Sequence, residues 1–253
     1  MSGTFTPAPG GARFARKVLA QAGMEFRLML RNGEQLLLAI VIPVVVLVAT
    51  VVGSRKLGVS LEGRAVDLFT PGVLALAVLS TAFTSVAVAT GFERRYGVLK
   101  RLGTSPLSRT GLLLGKVLAL LAVQLVQFTV IGAVATWLGW RPHWHPGVIA
   151  LAAFGTAAFA SWGLLVAGVL RAEATLAVAN LVFLLLMAAG GVVLPTSTYG
   201  GFGTVATWLP SGALGDGLRA AFIDGQFTWS RLLILAAWTL IGAVLTARTF
   251  TWE

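Results

Sequence analysis

The chain has few side chains that could carry out chemistry, and each candidate group lacks partners that it would need. It contains no cysteine, which excludes thiol nucleophiles and zinc–thiolate sites. His143 and His145 could form half of a metal site, but no third ligand is evident beside them. Trp140 and Trp144 flank them, which is typical of an aromatic belt at a membrane surface. We therefore predict no metal site.

Lys116 follows a glycine, as the lysine of a phosphate-binding loop does, but the surrounding residues do not form such a loop. Such a loop has four residues between its glycines and a Ser or Thr after the lysine to hold Mg²⁺. The run GLLLGKV (111–117) has three residues between its glycines, and Val117 follows Lys116. We expect no cofactor on this chain.

Two aspartates in DGLRAAFIDG (216–225) raise the alternative of a membrane phosphotransferase, in which several aspartates hold divalent ions. Only Asp216 and Asp224 are present in this segment, which is too few for such a site. We therefore predict that the chain is not an enzyme.

The composition indicates a membrane protein. Hydrophobic residues make up 57% of the 253 residues and charged residues 11%, whereas a soluble domain carries about 25% charged residues. The net charge of +10 is then explained by basic residues that flank membrane-spanning segments. Its basic residues are not interleaved with stacking aromatic residues on one polar face, so we predict no nucleic-acid partner.

Six segments have the length and apolarity of spanning helices, since a helix needs about 20 such residues to cross a bilayer. None alternates as a barrel strand would, so the predicted fold class is an all-α membrane protein with six transmembrane helices. The segments are Gln35–Val52, Leu68–Thr90, Leu112–Leu138, Val148–Leu170, Thr175–Leu194 and Leu232–Ala247. They define a six-span domain over residues 35–253.

The chain before these segments divides into a flexible tail, residues 1–12, and an amphipathic helix, residues 13–34. Basic residues such as Arg13 and Arg27 fall on one arc of this helix, and Val18 and Ala22 fall opposite. This pattern is typical of a helix at a membrane interface. The alternative is a solvated helix outside the bundle. Glu25 and Glu34 are expected to balance nearby arginines.

The distribution of basic residues predicts the orientation, because Lys and Arg resist translocation and roughly twice as many fall on the side of the two termini. Both termini and the loop of residues 91–111 are then cytoplasmic, in the cytoplasmic membrane. The stretch 91–116 alone holds six of the nineteen basic residues. Its Thr-Ser-Pro turn at 104–106 and a short helix beginning near Phe92 indicate either a docking element or a plain charged anchor. Ser108 is placed to cap the next helix.

The order of several motifs resembles the permeases of ABC-2-type transporters, the membrane subunits of exporters driven by a separate ATPase. The motifs are the 91–116 stretch, RNGEQLLLAIVIP (31–43), RAEATLAVANLVF (171–183) and LPSGALGDGLRAAFIDG (209–225). The resemblance implies that the 91–111 loop couples to the ATPase and that ATP and Mg²⁺ bind to that partner chain. It implies coupling roles for Glu93, Arg94, Gly97, Leu99, Leu102, Ser105, Pro106, Lys116, Arg171 and Glu173.

The spans carry uncharged polar residues that could either line a pathway or join helices by hydrogen bonds. Gln124 and Gln127 share one helix face. The resemblance places the second and fifth spans at the centre of a dimer. Thr84, Ser85 and Asn180 are therefore the pathway candidates.

Residues 195–230 are too interrupted by glycine and proline to span a membrane and too long for a simple connection. Irregular backbone at membrane depth persists only when protein buries it. The resemblance favours an external re-entrant hairpin before the last helix, and the alternative is an ordinary surface loop.

We predict a permease subunit of an ABC exporter whose cargo is amphipathic or hydrophobic, such as a drug, a lipid or a lipid-linked glycan. Its expected partners are two copies of an ABC ATPase subunit, a second or related permease, and the lipid bilayer. The alternative is a membrane carrier or scaffold that acts without an ATPase.

Overall fold

The computed structural model describes residues 12–33, 37–56, 63–98 and 108–249, and all regular secondary structure within them is helical. Six of the helices are long and apolar enough to cross a membrane: α2 to α6 and α9. The six predicted spans are thus confirmed. In chain order the helices are α1 (Phe14–Arg31), α2 (Ala39–Lys56), α3 (Ala65–Arg95), α4 (Arg109–Trp137), α5 (Gly147–Val169), α6 (Ala172–Ala189), α7 (Gly203–Trp208), α8 (Pro210–Arg219) and α9 (Trp229–Thr249).

Helix α3 is the centre of the bundle. Within its most apolar stretch 78% of the residues are buried, against 17% for α6 and for α9. Leu74, Leu76 and Leu79 are among its fully enclosed side chains, and the helix packs against α2, α4, α5, α6 and α8. A π-helical turn at Ser80–Ser85 interrupts its regular geometry. The other spans expose much of their apolar surface, as helices do when they face lipid or a partner.

Glycine allows α5 to approach the backbone of α3. A Cβ atom at Gly163 would lie 2.7 Å from the carbonyl oxygen of Phe83. Small residues at such crossings let membrane helices pack closely, because dispersion contacts hold them together where lipid removes the hydrophobic drive.

The two glutamines of α4 join helices by hydrogen bonds. Gln127 Nε2 donates to the Ala39 carbonyl and to Thr81 Oγ1, each at 2.7 Å. Gln124 Oε1 accepts from Thr156 Oγ1 at 2.5 Å. Of the two roles considered for these side chains, the structure supports helix–helix bonding.

The predicted N-terminal helix is present as α1, where Val18 and Ala22 are buried and the helix packs against α4. Phe14 and Leu19 are exposed, so apolar surface remains for contact with lipid. Its position at a membrane interface stays a prediction, and most of the predicted tail lies outside the described residues. Because the chain has six spans, it finishes on the same side of the bundle as α1, and α9 ends there.

The boundary of the charged stretch differs from the sequence-based expectation. Phe92 does not begin a separate helix, since α3 continues to Arg95 and ends in a turn at Tyr96–Gly97, with Gly97 at φ +69°. The reason is that charged side chains in this last turn find partners on neighbouring helices. Ser108 Oγ accepts a hydrogen bond from Gly111 N, which confirms the predicted cap of α4.

Helix α6 ends at Ala189, before the predicted Leu194, because Gly191 takes a left-handed φ of +75°. A 3₁₀ segment (Thr196–Phe202), α7 and α8 follow, and α8 continues through a π-helical turn (Ala220–Asp224). Nearly all of α8 is buried against α3, α5 and α9. The segment is therefore helical and packed into the bundle, and its depth in a membrane stays a prediction.

Gly163→Ala is expected to destabilise the protein by about 1–3 kcal/mol, the usual cost of overpacking, because the new methyl group meets the Phe83 carbonyl. Gly53→Ala in α2 is the matched control, since no atom lies within 4 Å of its Cβ position. This control should be neutral or stabilising by up to about 1 kcal/mol. Thermal unfolding of both variants in the same detergent checks the difference, and equal midpoints would contradict it.

Candidate functional site at the charged end of helix α3

Three consecutive charged residues end α3, and each is bound to a different neighbour. Glu93 pairs with Lys116 of α4, Arg94 with carbonyls at the end of α5, and Arg95 with Glu173 of α6. Successive residues on a helix point about 100° apart, so a triplet can reach neighbours on several sides. The end of α3 is thereby fixed to three other spans.

The innermost of these contacts is a cluster of one cation and two anions. Lys116 Nζ lies 2.9 and 3.0 Å from the two Glu93 carboxylate oxygens and 3.7 Å from Glu25 Oε2 of α1. Gln21 Nε2 donates to Glu25 Oε1 at 3.0 Å. The lysine and Glu25 side chains are about nine-tenths buried. The cluster joins α1, α3 and α4 at one point.

A glycine brings α1 close enough to complete this cluster. A Cβ atom at Gly115 would lie 2.7 Å from Gln21 Cγ, so only a residue without a side chain permits the observed spacing. Val18, Ala22 and Glu25 follow the i, i+4, i+7 spacing of one helix face, which turns the glutamate toward α4 with the two apolar residues.

Arg94 caps the end of α5. Its guanidinium donates to the Gly168 carbonyl and, at 2.6 Å, to the Leu170 carbonyl. The last carbonyls of a helix lack intrahelical donors and carry partial negative charge, so a guanidinium there is favourable. Arg95 forms its ion pair with Glu173 in the first turn of α6. Both arginines therefore bind α3 to the short connection between α5 and α6.

The structure brings five of the predicted coupling residues to this end of the bundle, namely Glu93, Arg94, Gly97, Lys116 and Glu173. Arg171 directly precedes α6 and is exposed. Leu99, Leu102, Ser105 and Pro106 lie outside the described residues.

Sequence reasoning missed Glu25 and Arg95 as members of this site. Glu25 was expected to balance Arg27 and Arg31, but it pairs with Gln21 and Lys116. The sequence feature that could have revealed this contact is the position of Glu25 on the apolar face of α1. For Arg95, nothing local in the sequence indicates a partner on α6.

The pathway candidates lie on two helices that pack together, α3 and α6. Thr84 Oγ1 is buried without a hydrogen-bond partner among the described residues, and Ser85 Oγ donates to the Ser80 carbonyl at 3.3 Å within the π-helical turn. Asn180 is exposed on the outside of α6. Within the described residues, Ser85 is thus the one candidate of the three with a hydrogen-bond partner.

A second charged cluster, which the sequence analysis missed, lies on the side opposite α1. Arg219 donates to the Gly191, Val192 and Val193 carbonyls at 2.6–3.1 Å, and Asp216 lies between Arg219 and Arg231. Burial lowers the pKa of Arg219, and Asp216 opposes that shift. The guanidinium still keeps its charge, as arginine does in proteins. The sequence feature that could have revealed this cluster is the i, i+3 spacing of Asp216 and Arg219 inside an apolar, glycine-rich segment.

One of the two histidines, His145, has side-chain contacts that fix its position. His145 Nδ1 accepts a hydrogen bond from Gly147 N at 3.0 Å, at the start of α5, and its ring stacks on Phe227 at 5.7 Å between centroids. Both contacts stabilise the connection between α4 and α5.

The six apolar helices and the buried polar contacts between them define a multi-pass membrane protein. The model of the family described as ABC-2 type transporter matches residues 17–223, and the chain belongs to this family. It is thus a membrane transport subunit, a permease of an ABC-type transporter, and the family implies an ABC ATPase as its partner. No curated protein matches the chain.

Lys116→Met is expected to destabilise the α1–α3–α4 junction by about 3–5 kcal/mol, because it leaves two buried carboxylates facing each other. Arg64→Met is the control, since it breaks an exposed pair with Asp67 worth about 0–1 kcal/mol and an exposed hydrogen bond to the Gly139 carbonyl. Thermal unfolding in detergent measures both. Adding Glu93→Gln to Lys116→Met should recover part of the loss, and equal effects of the two single variants would contradict the prediction.

Proposed function

We propose that the chain is the permease subunit of an ATP-driven exporter in the cytoplasmic membrane and that it couples to its ATPase through the 91–111 loop. The observation that supports this most is the attachment of the last turn of α3 to its neighbours. Glu93, Arg94 and Arg95 bind that turn to α4, α5 and α6. A displacement applied to the part of the loop that follows this turn therefore acts on four spans together.

Both ends of the loop are suited to transmit such a displacement. The loop follows the turn at Gly97 and leads to Ser108, which caps α4. In the proposed cycle, closure of the ATPase on ATP and Mg²⁺ pushes the loop. The ion pairs carry the push into α3 and α4 instead of letting the helix ends unwind. Two ATPase copies are needed when two permeases each contribute one loop.

The second permease is proposed to bind along α6. Only 17% of the most apolar stretch of this helix is buried in the chain, and Asn180 is exposed on it. An exposed carboxamide is costly in lipid, and polar atoms of a partner helix would satisfy it. Because α6 packs against the second half of α3, such a dimer brings Thr84 and Ser85 close to its centre. A second copy or a related permease both fit this arrangement.

The cargo is proposed to be amphipathic or hydrophobic. The candidate lining offers hydroxyl and carboxamide groups, namely Thr84, Ser85 and Asn180, among apolar side chains. Such a lining can bind scattered polar groups but not a fully hydrated ion. A drug, a lipid or a lipid-linked glycan would suit this chemistry.

Arg95→Glu is expected to reduce ATP-driven cargo flux severalfold in vesicles that contain the chain and its ATPase, because it places two carboxylates opposite each other at the α3–α6 contact. The pair is exposed and worth about 0.2–1 kcal/mol, so folding and ATPase association should persist. The measurements are flux, ATPase co-purification and thermal unfolding.

The matched control is the exchanged pair, Arg95→Glu with Glu173→Arg, which should restore most of the flux. Unchanged flux in the single variant, or no recovery in the exchanged pair, would show that this contact does not take part in coupling.

Both termini are expected in the cytoplasm, because most basic residues lie on the α1 side. Cysteine introduced at Ser2 or Thr251 should resist an impermeant thiol reagent in intact cells, while cysteine at Ser197 on the opposite side should react. The natural chain has no cysteine and gives the background. Labelling of Thr251→Cys from outside would reverse the proposed orientation.

A further inference from the structure

A cleft of about 560 Å³ lies between α1, α3 and α4, beside the ion cluster of Lys116. Its volume is within the range of about 300–1,000 Å³ that small-molecule sites occupy. Glu25, Glu93 and Lys116 form its buried charged end, and Arg31 is the exposed charged residue of the lining. The proposed function does not use this cleft.

At the buried end of the cleft the carboxylates outnumber the cations, because Arg31, the other cation of the lining, is exposed. One ammonium, Lys116 Nζ, faces two carboxylates, and it lies close to Glu93 at 2.9 Å but 3.7 Å from Glu25. The other contact of the Glu25 carboxylate is with the neutral amide of Gln21. A carboxylate has about four lone-pair sites, so Glu25 retains capacity for a further donor. Desolvated carboxylates without full pairing favour a cation in the remaining space.

The rest of the cleft is apolar. Leu28 and Met29 of α1 face it from one side, and Val86 and Ala89 of α3 face it from the other. Leu28 is 58% exposed, so the apolar wall continues onto the outer surface of α1. A molecule in the cleft would thus contact carboxylates at one end and hydrocarbon along its length. This combination matches an amphipathic molecule.

We propose that the cleft binds the ammonium head group of an amphipathic molecule. The ammonium lies against Glu25 and Glu93, and the tail follows Leu28, Met29 and Ala89. Arg31 lines the same cleft and is exposed, so it is available to a phosphate when the molecule is a phospholipid. An alkyl sulfate has the opposite head-group charge and should not bind.

The experiment uses the purified full chain in detergent and a photoreactive dodecylammonium probe, with photoreactive dodecyl sulfate as the matched probe of opposite charge. The ammonium probe should label the chain to saturation, with cross-linked peptides from α1 and the second half of α3. Glu25→Gln should weaken its binding by at least about fivefold, because the ammonium loses one of the two carboxylates that it contacts. Asp67→Asn is the control, since its carboxylate pairs with Arg64 far from the cleft, and it should leave binding unchanged.

A second variant keeps the proposal testable if Glu25→Gln alters folding. Ala89→Leu fills the apolar part of the cleft and leaves every charge in place, and it should also weaken the saturable labelling. Equal labelling by the sulfate probe would overturn the proposal, as would unchanged affinity in Ala89→Leu and Glu25→Gln.

Competition identifies the source of the ammonium group. If phosphatidylethanolamine in nanodiscs displaces the probe, and Arg31→Gln reduces that displacement, the natural ligand is a membrane lipid. If phosphatidylethanolamine has no effect while the probe still saturates, the ligand is a cationic amphipathic molecule such as a cargo. Both outcomes support the site. The assay needs neither an ATPase nor a second permease, so its result is independent of the transport and association experiments.

Discussion

Helix α3 is buried along most of its length, and charged side chains fix both of its ends. At one end, Glu93, Arg94 and Arg95 bind α4, α5 and α6. At the other end, Arg219 reaches the Leu68 carbonyl at 3.4 Å. Glu93 and Arg219 are largely buried, and such ions are costly to leave without partners, so both require their partners in place. The position of the central helix therefore depends on several neighbours being assembled at once.

The contacts that hold the middle of the bundle together differ from the ion pairs at the helix ends. The middle of the bundle is held by apolar side chains, by the close approach at Gly163 and by the glutamine contacts of α4. Such contacts are short-range and individually weak. The ion pairs at the helix ends have directional hydrogen bonds and defined partners. In the proposed coupling, a movement that begins at the helix ends would reach several helices through these ion pairs and leave the middle of the bundle in place.

The number and type of the helices could be predicted because lipid allows few solutions for a backbone, and long apolar runs show directly which segments cross it. The contacts of the charged residues at the helix ends were harder to predict. Ser108 could be assigned because a cap acts within its own turn. Glu25 and Arg95 could not be paired with Lys116 and Glu173 from sequence, because those contacts depend on how separate helices pack. The early end of α6 followed from the left-handed Gly191, and two adjacent glycines do not show which of them turns the chain.

The π-helical turn at Ser80–Ser85 also constrains the number of residues in α3. It inserts one extra residue, so the two halves of α3 are out of phase by about 100° compared with a regular helix. Thr81 meets α4 in this phase, and Arg94 meets the end of α5. Deleting one residue of the turn would make the helix regular and would rotate one set of contacts away from its partners. Related chains should therefore vary in sequence along α3 more readily than they vary in its length.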